Sequence, residues 1–293
     1  MSNGILKLPL SLAAHIGILA VPIPYNATTF ATTELEFPCK ADSDADVERR
    51  NVTIIEIGEL LSVAEMRKAF PTNIPAKVYR VTRKSEFDGQ IDTVVMKVAY
   101  NDMDVETLER EAGFYCNHLK CLQGRDVPTF YGLYALGPVI PRSPSIAIMV
   151  LEDGGDSLEV PLCEQPLQFR CVYGLVSGSW SCSSRILLSR LAVHQSLARI
   201  HHHGQIRHGD FAERNIVVRI NQDGTESDFK AMIIDFERAE GHLCKAPETI
   251  ALPITESPEF GDYCCRELHI VAEEACLWEP CECLVWSFFE SCT

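Results

Sequence analysis

The stretch that most constrains this chain runs from Gln205 to Glu237. It opens as QIRHGDFAERNIVV, after a run with helical spacing and before residues typical of strands. Ile216 to Ile220 is apolar apart from Arg219, and Asn221-Gln222-Asp223-Gly224 supplies a turn. A second apolar run, Ala231 to Ile234, ends in Asp235-Phe236-Glu237. Two short apolar runs about an Asp-Gly turn predict a β-hairpin. Polar residues bracket it. His208, Gly209 and Asp210 come first, Asn215 stands five places beyond the aspartate, and Asp235 follows the second strand.

This loop resembles the HRD-x-x-x-x-N catalytic loop of protein kinases. Its HGD form looks closer to atypical and small-molecule kinases, such as the aminoglycoside phosphotransferase group, and to the divergent kinase-like proteins common in fungi. The resemblance implies a division of labour. Asp210 would accept the proton of an attacking hydroxyl, and Asn215 and Asp235 would hold Mg²⁺. His208 would pack against Phe236 and support the loop backbone. Val217 would form part of an apolar floor under adenine. Gly209 replaces the arginine with which many protein kinases sense a phosphorylated activation segment, and Glu237 stands where the family carries glycine.

Upstream residues fit the same order. Thr93 to Tyr100 is a predicted strand carrying VVMK, which ends at Lys97 and resembles the kinase strand whose lysine reaches the α and β phosphates. By itself a lysine in an apolar strand reads as a snorkelling edge residue. The next element changes that reading. Leu108, Ala112, Tyr115 and Leu119 share one face of a helix predicted over Val105 to Cys121. The family pairs its strand lysine with a helix glutamate, and Glu111, within EAGFY, is the choice over Glu109. Thr129 to Leu136 and Ile146 to Leu151 predict two more strands. The resemblance puts Leu151 at the back of an adenine pocket and Glu152 in a hinge.

Elsewhere Val52 to Ile57 and Lys77 to Val81 predict strands, and Leu60 to Phe70 has helical spacing closed by Pro71 and Pro75. Arg83 to Gln90 and Gln165 to Ser184 read as loops. A helix through Ile186, Val193, Leu197 and Ile200 ends in His201-His202-His203, residues suited to a helix C-terminus. Cys265 to Trp278 predicts another helix and Leu284 to Phe289 a short apolar ending. Asp262 is the candidate to brace the catalytic loop from beneath.

The bulk numbers exclude some classes. A chain of 293 residues, 46% hydrophobic and 23% charged, is globular rather than disordered. A net charge of −15 with scattered lysines and arginines argues against nucleic-acid partners. Thirteen cysteines without a C-x-x-C pair read as free thiols packed as small hydrophobes rather than a zinc site. Consecutive histidines point in different directions, so the His201–His203 triplet does not predict a shared metal. Leu8 to Tyr25 is short and broken by prolines, which argues against a membrane span. Its weak likeness to a signal peptide leaves an intracellular, soluble protein as the expectation.

The expected fold is α+β, a bilobal kinase-like arrangement with a small β-rich N-lobe and a reduced, mostly helical C-lobe. Residues 1–50 would be an N-terminal extension, 51–152 the N-lobe and 153–293 the C-lobe, with the catalytic loop at 205–218 and the metal-binding DFE at 235–237. The resemblance implies ATP and Mg²⁺ as nucleotide and metal, and a hydroxyl acceptor, a protein Ser/Thr or a small molecule. The absence of a G-x-G-x-x-G loop before Lys97 and the glutamate at 237 keep two alternatives open. One is a pseudokinase that binds or scaffolds without turnover. The other is a small-molecule kinase with the same chemistry.

Overall fold

The computed structural model describes residues 5–9, 29–34, 52–63, 76–85, 89–136, 146–158, 182–220, 229–249, 258–259, 263–275 and 277. Two compact units emerge: Met1–Asn117 with Thr129–Asp153, and His118–Pro128 with Gly154–Thr293. The fold is mixed α and β, with a curled, mainly antiparallel sheet. No helix among the described residues is long and apolar enough to cross a membrane.

The first unit holds strands β1 (Ile5–Pro9), β2 (Thr29–Glu34), β3 (Val52–Val63), β4 (Lys77–Ser85), β5 (Ile91–Ala99), β6 (Phe130–Leu136) and β7 (Ile146–Glu152). They close in the order β1-β2-β6-β7-β5-β4-β3. Every neighbouring pair is antiparallel except β1 with β3. Side chains alternate across a strand, so one face can fill a core while the other serves another purpose. In β5, Val94, Met96 and Val98 are buried with Tyr79 and Val81 of β4 and Ile148 and Val150 of β7. Lys97 falls on the opposite face by the same alternation.

Helix α1 (Asp102–Asn117) follows β5 directly. Asn101 starts it, with its Oδ1 accepting the Asp104 N–H at 3.0 Å and its Nδ2 donating to the Asp104 carboxylate at 2.7 Å. This reciprocal cap satisfies an N-terminal donor that the helix itself cannot. Val105, Leu108, Ala112 and Tyr115 are buried, and Tyr115 stacks on Phe130 of β6 with ring centroids 5.8 Å apart.

Three expectations about the first unit need correcting. Residues 1–50, read as an N-terminal extension, supply β1 and β2 of the sheet, and Leu6 and Leu8 of β1 are fully buried in the core. The helical spacing from Leu60 yields to strand: β3 runs through Val63 and pairs with β4 as far as Lys77. Irregularities along that ladder break the period-2 pattern that would have marked a strand, and Leu60 and Leu61 are exposed. The predicted loop from Arg83 is still strand to Ser85, where the Arg83 guanidinium bonds both Asp92 oxygens at 2.6 and 2.8 Å.

The second unit contains β8 (Asp156–Ser157), α2 (Cys182–His203), β9 (Ile206–Arg207), β10 (Ile216–Ile220), β11 (Phe229–Ile233), β12 (Glu240–Gly241) and α3 (Arg266–Glu274). The expected hairpin is β10–β11, with Ile216 opposite Ile233, and β8 adds to its edge. Helix α2 buries Leu197, Ala198 and Ile200 and packs on β11 and α3. Residues 118–128 belong here, and Asp126 anchors them. Its fully buried carboxylate accepts Ser196 Oγ at 3.1 Å and Arg199 Nε at 2.8 Å from α2, and its carbonyl accepts the Ile233 N–H at 2.9 Å. Most of Gln165–Ser184, the hairpin turn at 221–224, Asp262 and Leu284–Phe289 lie outside the described residues.

Candidate functional site

In the first unit the strand lysine and a helix glutamate meet. Lys97 Nζ donates to both Glu111 oxygens, at 2.8 and 2.9 Å. β5 turns Lys97 away from the barrel core, and α1 packs on that side. Glu111 lies on the buried face of α1 with its side chain only 3% exposed, against 15% for Lys97. The partner is thus Glu111; Glu109 is more exposed. A buried carboxylate needs such a donor, because desolvation without one is costly.

Leu151 and Glu152 close β7 in the same unit. Leu151 is buried. Glu152 turns onto Thr129, accepting its N–H at 3.1 Å and its hydroxyl at 2.8 Å, while the Glu152 N–H donates to the Thr129 carbonyl at 2.8 Å. The end of the strand is therefore fixed by side chain and backbone together.

In the second unit the loop residues converge on the base of the β10–β11 hairpin. The Ile234 N–H bonds the Asn215 carbonyl at 2.9 Å, which continues the ladder and brings Asp235 to the same end as Asn215. Asn215 is buried, and its Nδ2 donates to the Asp210 carbonyl at 2.9 Å. That bond fixes the amide so that its oxygen is the atom left to take a cation. Asp235 adopts the left-handed conformation, φ 71° and ψ 63°. This is a strained state that short polar residues tolerate best and that accumulates at functional positions.

His208 joins these parts. Its Nε2 donates to the Ile234 carbonyl at 2.8 Å, and its Nδ1 accepts the Asp210 N–H at 3.3 Å. One neutral tautomer satisfies both bonds. Burial lowers the His208 pKa, opposed by the Ile234 bond and nearby carboxylates, and so favours that neutral form. The ring lies 5.0 Å from that of Phe236, which is fully buried.

The two letters that departed from the kinase pattern have local explanations. Gly209 has φ 77°, and a Cβ there would run into the Arg238 carbonyl. Only glycine meets both demands. Glu237 lies in a 3-10 turn, Phe236–Arg238, with an ordinary negative φ, so no glycine is required at that position. Val217 is buried with its side chain against Gly154.

Three side chains that hold the loop were not foreseen: Arg214, Arg238 and Glu267. Arg214 Nη2 donates to Asp210 Oδ2 at 2.8 Å, and Arg238 Nη1 stands 3.8 Å from Oδ1. Glu267 of α3 braces the loop from beneath; Asp262, the sequence candidate for that role, lies outside the described residues. Its carboxylate accepts the backbone N–H groups of His208 at 2.9 Å and Gly209 at 2.8 Å. Burial works against the charged form of Glu267, but the bond to His201 and these two N–H groups hold its pKa below the usual carboxylate value. The signal for Glu267 was its place in the first turn of an amphipathic helix, which says nothing of a partner 59 residues away.

No protein-family model matches the chain, and neither does any curated protein sequence. The functional reading therefore stands on its own residues.

Proposed function

We propose that the protein is an ATP-dependent phosphotransferase of kinase-like, bilobal fold, transferring the γ-phosphoryl group to a hydroxyl. The observation that carries this reading is the loop geometry of the second unit. Asn215 is tied to the Asp210 backbone and stands beside a left-handed Asp235 at the end of the hairpin. The bidentate Lys97–Glu111 pair supports it independently from the first unit.

In this reading Asp210 accepts the acceptor's proton and orients its oxygen for in-line attack. Lys97, held by Glu111, positions phosphate oxygens. The donor set Asn215 and Asp235 is all oxygen and suits Mg²⁺, which would neutralise charge on the β and γ phosphates. Arg214 orients the Asp210 carboxylate and adds positive charge next to the site of transfer. The acceptor is a protein Ser/Thr or a small alcohol.

One observation favours a nucleotide-binding pseudokinase instead. Asp210 is held by Arg214 and approached by Arg238, so an incoming hydroxyl must share its carboxylate with a cation. The deciding experiment measures ATP turnover with and without Mg²⁺ against generic protein substrates and a panel of small alcohols. Mg²⁺-dependent turnover is expected. A thermal shift with MgATP but no turnover would select the pseudokinase, and neither response would sink the kinase reading.

A further inference from the structure

Beneath the loop, four ligand atoms gather from three separate segments of the second unit. His201, His242, Cys244 and Cys265 each offer one donor atom, and these atoms all lie within 4.8 Å of one another. We propose that they form a structural zinc site of the His₂Cys₂ type.

The local fold explains how they meet. His201 lies in the last turn of α2. The chain then runs through β9, which pairs with β12, and the His242 N–H bonds the Gln205 carbonyl at 2.8 Å, one ladder step further. His242 is thereby set beside the end of α2, with Cys244 two residues on. Cys265 is the N-cap of α3, which packs on α2. None of this follows a C-x-x-C pattern, so the sequence spacing hid it.

Two of the sulfur–nitrogen separations match those around a tetrahedral ion. With zinc–sulfur and zinc–nitrogen bonds of about 2.3 and 2.05 Å, a sulfur and a nitrogen ligand stand about 3.6 Å apart. Cys265 Sγ lies 3.5 Å from His201 Nδ1 and 3.6 Å from His242 Nε2. The two imidazoles meet edge-on at 78° with centroids 5.0 Å apart. Both sulfurs are free thiols.

The outer shell is equally specific. His201 uses Nδ1 toward the cluster and gives Nε2 to Glu267 at 2.6 Å. A carboxylate on the far nitrogen of a metal-bound histidine fixes its tautomer and raises its donor strength. Of the histidine triplet only His201 takes part; His203 is exposed and bonds Glu248 at 2.9 Å. Zinc here would fasten α2, the β9–β12 pair and α3 together. It would do so two residues before the Glu267 brace, whose carboxylate bonds His201, and it does not depend on the phosphotransfer reading.

The test is metal analysis of the full-length protein by plasma mass spectrometry, with Co²⁺ replacing zinc as a spectroscopic probe. About one zinc per chain is expected, and Co²⁺ should give thiolate charge-transfer bands with tetrahedral d–d absorption. Zinc content should fall roughly tenfold or more in Cys244→Ser and His242→Ala and stay unchanged in Cys121→Ser, an exposed thiol outside the cluster. Zinc-free, folded wild-type protein that gives no such Co²⁺ bands would overturn the proposal, whatever the variants do. So would full zinc retention in both cluster variants, or a Cys244–Cys265 disulfide in the freshly purified protein.

Discussion

The carboxylate of Glu267 accepts the backbone N–H of Gly209 at 2.8 Å. Its other oxygen takes the His208 N–H and His201 Nε2, so one side chain couples α2 and α3 to the loop that carries Asp210. Hydrogen bonds to a charged, mostly buried group contribute about 1.5–3 kcal/mol each, and the losses overlap when one group is removed. Glu267→Gln keeps the size but turns one acceptor into a donor facing an N–H. Urea denaturation should show a loss of about 2–3 kcal/mol. Turnover should drop at least as far as the folded fraction, and metal affinity about 10–100-fold. Wild-type stability in this variant would remove Glu267 from its bracing role.

The Lys97–Glu111 pair separates structural from chemical roles. Removing either partner leaves a largely desolvated charge, which costs about 3–5 kcal/mol when fully buried and roughly 2 kcal/mol here, given the partial exposure of Lys97. Lys97→Met and Glu111→Gln should both lower the melting temperature and abolish or greatly reduce turnover. The exchange Lys97→Glu with Glu111→Lys should recover part of the stability and none of the activity, because the ammonium then starts from the helix. Recovery of activity in the exchange would show that position on β5 is irrelevant to phosphate binding.

Under the proposed phosphotransfer reading, Asp210→Asn probes the proton acceptor alone. Arg214 keeps an oxygen to bond, and the Asn215 contact is to the Asp210 backbone, so the loop should survive. Turnover should fall by about 10²–10⁴, the usual contribution of a positioned base, while the thermal shift with MgATP persists. Full activity would refute the assignment of Asp210. Asn215→Ala and Asp235→Asn should instead reduce both turnover and the Mg²⁺-dependent part of the thermal shift.

How much of this was legible depends on the range of the interaction. Lys97 and Glu111 lie 14 residues apart on two elements whose periods could be read directly, alternation in β5 and one apolar face in α1. The hairpin and the polar residues around it were legible for the same reason. Glu267, Asp126 and Cys265 were not, because each has a partner 58 to 73 residues away that nothing local marks. β1 escaped notice because an alternation of Leu6 and Leu8 over five residues ending in Pro9 is too short to outweigh the proline. β3 was half lost because its irregular ladder resembles helical spacing from Leu60 onward.

Gly209 offers a test of the backbone itself. Its φ of 77° costs a residue with a Cβ about 1 kcal/mol, and the new methyl would also meet the Arg238 carbonyl. Gly209→Ala should therefore destabilise by roughly 2 kcal/mol, more than a surface substitution of the same size. Gly241→Ala, where a Cβ meets nothing within 4 Å, is the control and should change little. Equal effects at the two positions would mean that the 208–210 turn relaxes freely.

Acid should weaken the second unit through His194. This side chain is fully buried on α2, with Nε2 3.2 Å from the Tyr263 hydroxyl. Burial lowers its pKa to about 4, and the nearby His201 imidazole pushes the same way. The unfolded chain titrates near the ordinary value of about 6.5, so between there and pH 4 unfolding takes up a proton. Stability is therefore fully present above about pH 6.5, falls as pH drops through that window and levels off below pH 4. The difference corresponds to about 3 kcal/mol. His208 is shifted in the same direction, so the wild-type curve alone does not isolate His194. The clean measurement compares wild type with His194→Gln in urea at pH 7.5 and pH 5. The variant should lose stability at pH 7.5 through imperfect packing yet show a shallower decline toward pH 5. Parallel curves would assign the acid sensitivity to other groups.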